Sequence, residues 1–578
     1  MTTALNPIYT EVRQCHDCYK CLRQCRVKAI NIQDGHARVN PDYCILCGHC
    51  VSVCPMQAKK VRSDVERVKL LLRLRKKVIL SLAPSFVAEF SGIDTGSLIN
   101  GLKYLGFYGV SETALGAEQI NIAVARMLQE KPGLYISSAC PSVVELINRY
   151  YPQYAERICA MLSPALTHAR MLRHQYGDDI GVVFAGPCIA KKKEADDNPD
   201  LLNIAITFRE LRQWFEEEGI DLSAMSSGTG NDFIPTRARE GALYPIEGGM
   251  IAGIEPTGSI TDCSFMTFSG IRAIQDALTD LERLKDRGPV FLELLACEGG
   301  CVNGPQINRT GATALKRYDV IRTAAVDSPI RQNRQTVPVE HLWKSPAVPA
   351  HRYTAEQIRE ALKRIGKFGP EDELNCGSCG YDTCRNFAEA MLDDRAEEKM
   401  CMGYIRRLAS KQANALLNAM PSGVVITDET LTIIDSNRRF AEILGPDIER
   451  AYEAMPHLEG ANLRKTISFA DLFTQVLEKG LPSLQRDVKV ESRIFHVTIF
   501  TIEKHRRVGG IIQDITAPAI QKEQIVKKAK QVITQNLQTV QKIAYLLGEN
   551  ASDSEVILNS IVDVFDSDTE GRTDHEVG

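Results

Sequence analysis

Sixteen of the 18 cysteines in this chain stand in short runs or beside glycine and proline. Cys15, Cys18, Cys21 and Cys25 are spaced C-x-x-C-x-x-C-x-x-x-C, and Cys44, Cys47, Cys50 and Cys54, followed by Pro55, repeat that spacing. Cys140, Cys188, Cys297 and Cys301 lie singly or as a pair behind short apolar runs, and Cys376, Cys379, Cys384 and Cys401 form a further group. Thiolates are soft ligands, so this usage points to metal ligation wherever a reducing compartment disfavours disulfides. The start MTTALNPIYTEVRQC has no basic stretch leading into an apolar one, which predicts no secretory signal and a cytoplasmic protein. Cys159 and Cys263 fall outside the groups and read as buried or incidental thiols.

Short loops let three thiolates cap one face of an iron-sulfur cube while a fourth, further along, reaches a second cube. The doubled run resembles the bacterial two-cluster ferredoxins, with Arg26 where that family usually has proline. The resemblance implies one 4Fe-4S cluster on Cys15, Cys18, Cys21 and Cys54, and a second on Cys44, Cys47, Cys50 and Cys25. Paired zinc sites fit less well, because zinc pairs are usually separated C-x-x-C units.

From about 75 to 330, apolar runs alternate with helical stretches. KKVILSLAP, GLYISSACP, IGVVFAGPC and PVFLELLAC each end at a cysteine or proline, as strands that deliver side chains to one common edge would. An α/β architecture follows, and such edges are where open α/β sheets hold ligands. Ser137–Ser142 (SSACPS), Gly186–Glu194 (GPCIAKKKE) and Leu295–Gly304 (LACEGGCVNG) resemble, in order, the three signature segments of FeFe hydrogenases. Ala83, Pro84 and Ser85, and GFYGVSETALGAE at 106–118, resemble further active-site segments of that family. The resemblance implies an H-cluster, a 4Fe-4S cluster linked to a di-iron subsite with carbon monoxide, cyanide and azadithiolate ligands. Cys140, Cys188, Cys297 and Cys301 would hold the 4Fe-4S part, with Cys301 bridging to the di-iron part. Lys191 matches the lysine that hydrogen-bonds one cyanide, and Ser85 a residue near the other. A relative that keeps the thiols without the di-iron unit is the competing reading, and retention of Lys191 weighs against it.

Departures from the family bear on activity. Ala139 stands where productive members have a proton-relaying cysteine, and Ala123 and Val124 stand near the expected glutamates of the proton path. Gly186 and Leu295 replace methionines beside the di-iron site. Proton transfer needs donors and acceptors within hydrogen-bond reach, so this pattern predicts slow turnover. Glu298, or another acid nearby, is a substitute relay, although a solvent-facing carboxylate is the plainer reading.

Residues 311 to about 350 read as a connecting segment. Thr354 is placed to cap the helical pattern TAEQIREALKRIGKFGP. Cys376, Cys379, Cys384 and Cys401, around CGSCGYDTC, resemble the small four-cysteine 4Fe-4S domains, with zinc as the alternative. From 411 the alternation of helix and strand resembles a PAS domain, notably at Asp435, Asn437 and GGIIQDIT. His457 and His496 are possible haem ligands in type, but lone histidines are mostly structural, and no PAS cofactor is assigned. Val526, Ala529, Ile533, Asn536, Val540, Ile543 and Leu547 form a heptad seam, in a dimer or folded back on the PAS domain. The ending DSDTEGRTDHEVG reads as a polar, acidic tail without fixed structure.

The expected architecture is multidomain α/β. It comprises a ferredoxin-like dicluster domain (1–62), an α/β H-cluster domain with a trailing linker (75–350), a small 4Fe-4S domain (351–408), an α+β PAS domain (411–517), a coiled-coil helix (518–550) and a tail (551–578). A net charge of −4 with mixed signs argues against nucleic acid or anionic membrane partners, and no apolar stretch is long enough to span a bilayer. The resemblance to the sensory branch of FeFe hydrogenases implies slow, reversible hydrogen oxidation and proton reduction. Redox state would pass through the H-cluster and three further 4Fe-4S clusters to a homodimeric PAS and coiled-coil output. A kinase or phosphatase would read that output, and a ferredoxin could exchange electrons. The other readings are a metabolic ferredoxin-linked hydrogenase and a non-catalytic iron-sulfur scaffold or maturation protein.

Overall fold

The computed structural model describes residues 6–131, 133–225, 232–254, 263–308, 311–324, 334–349 and 352–547. The acidic tail after residue 550 lies outside them. The chain divides into two compact units, Met1–Tyr404 and Ile405–Gly578.

In the first unit, the doubled cysteine run makes two small antiparallel pairs. β1 (Ile8–Thr10) pairs with the strand at Lys59–Val61, and β2 (Ile30–Gln33) pairs with β3 (His36–Val39). The strand at Lys59–Val61 is β4. Each run carries one five-residue helix, Lys20–Gln24 or His49–Val53, entered through a left-handed residue, Tyr19 or Gly48.

The α/β region is built on two parallel sheets. β5 (Val78–Leu82), β6 (Gly109–Glu112), β8 (Gly181–Gly186) and β9 (Ile204–Thr207) form one, in the order β6-β5-β8-β9. β7 (Leu134–Ile136), β10 (Ser264–Ser269) and β11 (Val290–Leu295) form the other, in the order β10-β11-β7. All four apolar runs singled out in the sequence are strands. β5, β8 and β11 are buried along their whole length, as expected of parallel strands covered on both faces. They do not share one sheet edge, because β5 and β8 belong to the first sheet and β7 and β11 to the second. The cysteines therefore gather at the carboxyl ends of two sheets.

This region is locked to the dicluster region. The Arg149 guanidinium donates to Pro41 O and Asp42 O, and the Tyr150 hydroxyl donates to Tyr43 O at 2.6 Å. Lys192, with its side chain fully buried, lies 2.9 Å from carboxylate oxygens of both Asp64 and Glu210, so its charge is compensated.

Residues 311 to 350, expected to be a connection, contain the helix Thr313–Ala324. Val320 packs into the main core, whereas Leu315, Tyr318 and Ile321 are exposed, so the helix lacks the apolar stripe that would have announced it. Beyond it, Leu162 N donates to Val339 O at 2.7 Å and Trp343 Nε1 to Met161 O at 2.7 Å, which fixes the later part of the segment on the domain. Thr354 caps the helix Ala355–Arg364 through a reciprocal pair of bonds with Gln357.

In the second unit, five antiparallel strands, β12 (Gly423–Asp428), β13 (Ile433–Ser436), β14 (Ser483–Val490), β15 (Arg493–Glu503) and β16 (Arg507–Asp514), run in the order β13-β12-β16-β15-β14. Asn437 joins this unit together: its Oδ1 accepts from Val424 N and Phe440 N, and its Nδ2 donates to Leu417 O and Ser422 O. His457 pairs with Asp435 at 2.9 Å and His496 with Asp487 at 2.6 Å. The last described element is the helix Thr516–Leu547, on which Val526 and Ile533 are half-buried and Ala529 is exposed. No helix among the described residues is long and apolar enough to cross a membrane.

Candidate metal centre

Four strand ends supply the central site. Ser85 follows β5, Cys140 follows β7, Cys188 follows β8, and Cys297 with Cys301 follows β11. Cys140 then opens the helix Pro141–Tyr150, and Lys191 lies in the first turn of the helix Ala190–Asp197. The four thiols are electrostatic neighbours: Cys140 and Cys188 both act on Cys297 and on Cys301, and Lys191 acts on Cys188 and Cys301. Burial, the largest cause in each case, raises the Cys188 thiol to about 11 and raises Cys297 and Cys301 as well. Thiols in such a setting become thiolates only against a compensating positive charge, which a metal cluster supplies.

Lys191 is buried, and its ammonium donates to Ser163 Oγ at 2.9 Å and to Glu194 Oε2 at 2.6 Å. An ammonium has three protons, so these bonds leave one. Glu194 Oε1 and Ser85 Oγ are buried without a hydrogen-bond partner among the described residues. Half-buried thiols, a donor with capacity to spare and an unpartnered hydroxyl fit a group that combines thiolate-held iron with anionic acceptor ligands. A Cβ on Gly186 would meet the Phe184 ring at 2.6 Å and Ala83 Cβ at 2.9 Å, so a larger side chain there would have to displace them.

The three positions that lack the expected proton carriers come together. Ala123 and Val124 are buried, and Ala139 packs against the same apolar cluster, which also contains Met250 and Cys159. Ser137 Oγ, which the Ala139 amide approaches at 3.2 Å, is turned onto Met250 Sδ at 3.1 Å.

Beside this apolar wall is an acid that the sequence reading did not single out. Glu293, on β11, is 2% exposed; its Oε1 accepts from Met250 N at 3.3 Å, and its Oε2 has no partner among the described residues. Burial lifts its carboxyl to about 7, and its charge is felt at Cys301 and at the Tyr244 hydroxyl. Tyr244 donates to Asn121 Oδ1 at 2.7 Å and also feels Glu118, whose carboxyl is lifted by burial to about 7. Glu298 is exposed. Glu293 left no signal in the sequence because it interrupts an unbroken apolar strand whose surroundings come from residues 248–251, far along the chain.

The ferredoxin-type thiols sort across the two runs. One cavity is lined by Cys15, Cys18, Cys21 and Cys54. A second, of about 490 Å³, is lined by Cys25, Cys44, Cys47 and Cys50, and it also reaches Cys297. Burial raises Cys44 and Cys47 to about 12, and Cys140 acts on Cys47, so this set adjoins the central one. In the last group Cys376 and Cys401 act on Cys379, and Cys384, whose amide donates to Asn375 Oδ1 at 2.8 Å, opens the helix Cys384–Leu392. Cys376 is exposed and the other three are half-buried.

Several regions of the chain match known protein families. Residues 76–305 match the model of the C-terminal domain of the iron-only hydrogenase large subunit, residues 7–66 a 4Fe-4S dicluster domain, residues 372–412 an Fe-S cluster domain and residues 412–479 a PAS domain. Iron hydrogenase 1 of Clostridium pasteurianum is 25% identical over 327 residues, which are 47% of this chain and 57% of that protein. The HndD polypeptide of the NADP-reducing hydrogenase of Solidesulfovibrio fructosivorans is 24% identical over 419 residues, 58% of this chain and 71% of that protein. A solved [FeFe]-hydrogenase HydA1 from Chlamydomonas reinhardtii is 20% identical, covers 45% of this chain and 88% of that chain, and superposes with a TM-score of 0.36. The chain thus joins a dicluster 4Fe-4S domain, the C-terminal domain of an iron-only hydrogenase large subunit, a further Fe-S domain and a PAS domain in one polypeptide.

Proposed function

We propose that this chain is a hydrogen-responsive iron-only hydrogenase of low turnover, whose redox state is read through its PAS unit. The supporting observation is the pairing of a complete donor set with an apolar wall where proton carriers would stand. Cys140, Cys188, Cys297 and Cys301 would hold the 4Fe-4S part of an H-cluster, Cys301 would also ligate its di-iron part, and Lys191 and Ser85 would supply the polar groups beside its anionic ligands. When bound, that group supplies the reversible splitting of hydrogen into protons and electrons.

The chain's own residues then set the pace. Lys191 is oriented by Ser163 and Glu194, so its ammonium stays in place without searching. Ala139, Ala123 and Val124 exclude water and offer no proton acceptor. Glu293 Oε2 is the acid placed to hold a proton near Cys301, and a carboxyl lifted to about 7 can take and return one near neutrality. One holding site beside a dry wall supports binding and slow exchange.

Three further 4Fe-4S clusters would be held by Cys15, Cys18, Cys21 and Cys54, by Cys25, Cys44, Cys47 and Cys50, and by Cys376, Cys379, Cys384 and Cys401. The protein would act in the cytoplasm, exchange electrons with a ferredoxin-type partner, dimerise through the PAS unit and the helix Thr516–Leu547, and signal to a kinase or phosphatase. That last assignment rests on family analogy. The test is gas exchange by the fully loaded protein under deuterium. Slow formation of HD, well below that of a productive hydrogenase measured alongside, is expected; no HD would overturn the hydrogen reading, and fast HD would overturn the low-turnover reading.

A further inference from the structure

The Cys376–Cys401 domain and the dicluster domain, far apart in the chain, share one hydrophobic core. Leu22, Ile30 and Ile32 pack in the same cluster as Leu362, Phe387 and Met391. The polar contacts are equally specific. Lys28, itself left-handed at φ 51°, donates from Nζ to Gly380 O, and its ammonium lies 6.0 Å from the centre of the Tyr381 ring. Gly380 sits at φ 94°, and a Cβ there would be 3.0 Å from Leu22 Cγ, so the backbone is seated on the helix Lys20–Gln24, which carries Cys21 and ends at Cys25. Arg395 O accepts from Ile32 N, and the Arg395 guanidinium lies 5.1 Å from the centre of the ring of Tyr43, the residue before Cys44.

Tyr381 is at the centre of this contact. It is 4% exposed, and its hydroxyl has no hydrogen-bond partner among the described residues. Leaving a buried phenol unpaired is costly, so an uncompensated Tyr in this position calls for an explanation. Its ring lies 5.7 Å from that of Phe387, in the core against which Cys379 and Cys25 pack from the two sides of the interface. Cys21 and, at its edge, Cys15 pack in the same core, but the contacts of Lys28 and Arg395 fall three residues after Cys25 and one residue before Cys44.

We propose that this interface makes the four-cysteine set a fixed branch from the Cys25, Cys44, Cys47 and Cys50 set, with Tyr381 as the positioning residue between them. The set that adjoins Cys297 would then face three neighbours, and the Cys15 set, with exposed Cys18, would be left to serve an external partner. Exchange along the branch is a single electron, lost by one cluster and gained by the other, with no bond made or broken. The functional meaning rests on the hydrogen reading above, but the geometry does not.

The test uses the full holoprotein reduced with dithionite, so hydrogen chemistry is not needed. Pulsed electron paramagnetic resonance should show the cluster on Cys376, Cys379, Cys384 and Cys401 coupled more strongly to the Cys25-set cluster than to the Cys15-set cluster. Cys379→Ala, which removes the former, should slow the spin relaxation of the Cys25-set signal and leave the Cys15-set signal unchanged. Tyr381→Ala should weaken the coupling at unchanged iron content, and Tyr381→Phe should preserve it. Stronger coupling to the Cys15-set cluster in the unaltered protein would overturn the branch. Equal coupling in Tyr381→Ala and wild type would overturn the role of Tyr381.

Discussion

Two sets of residues meet where Met250 N donates to Glu293 Oε1, and they differ in kind. Ala139, Ala123, Val124 and Met250 make one of hydrocarbon and thioether. Glu293, Tyr244 and Glu118 make the other of protonatable groups, two of them carboxyls lifted to about 7 by burial. The difference teaches that holding a reactive group and supplying it with protons are separable tasks. The thiols and Lys191 suit the first task whatever lines the path, whereas the second depends on the type of a few side chains that touch neither.

Ala139→Cys puts a proton carrier into the dry wall and should give the largest effect, a gain in turnover of about 10²-fold for a restored relay. Dye-linked hydrogen oxidation by protein matched for H-cluster content would measure it, and an unchanged rate would show that the dry wall is not limiting. Val124→Glu approaches the same wall from further out. A carboxylate there has no partner, so it should lower stability by about 2 kcal/mol or more in chemical denaturation. Full retention of stability would mean that water already reaches the wall.

Glu293→Gln alters the other wall. It keeps the bond from Met250 N but removes the proton, and a fall in hydrogen turnover of about tenfold, small against a full relay, is expected with cluster content unchanged. An unaltered rate would leave Glu293 as a strand residue only. The smallest effect is a pH dependence carried by Glu112, Glu118 and Glu293, all held near 7 against 4.5 in the free side chain. Their folded-state affinity for protons is raised, so between about 4.5 and 7 the folded protein binds more protons than the unfolded one and stability falls as pH rises. Glu112→Gln should flatten the slope of unfolding free energy over that interval, and an unchanged slope would exclude this carboxyl as a cause.

What could be read in advance follows from the range of the interactions involved. The grouping of the ferredoxin-type thiols was legible because their spacing is local, and the strands because burial on both faces leaves runs such as VILSL and GVVFAG. The capping pair Thr354 and Gln357 is likewise local. The helix Thr313–Ala324 was hidden because Leu315 is 62% and Tyr318 54% exposed while Val320 alone enters the core. The division into two sheets was hidden because strand order is set by pairing, not by the strands' own composition. Glu293 and the bond between Lys28 and Gly380, 352 residues apart, depend on contacts that no local pattern encodes.

The most direct measurement of the central claim is infrared spectroscopy of the purified chain after loading with the synthetic di-iron complex. The account predicts carbon monoxide and cyanide bands that persist after removal of excess complex, shift under hydrogen, and lose their cyanide perturbation in Lys191→Met. A protein that carries its iron-sulfur clusters yet retains no such bands would contradict it, leaving the four thiols at the strand ends with an ordinary electron-carrying cluster.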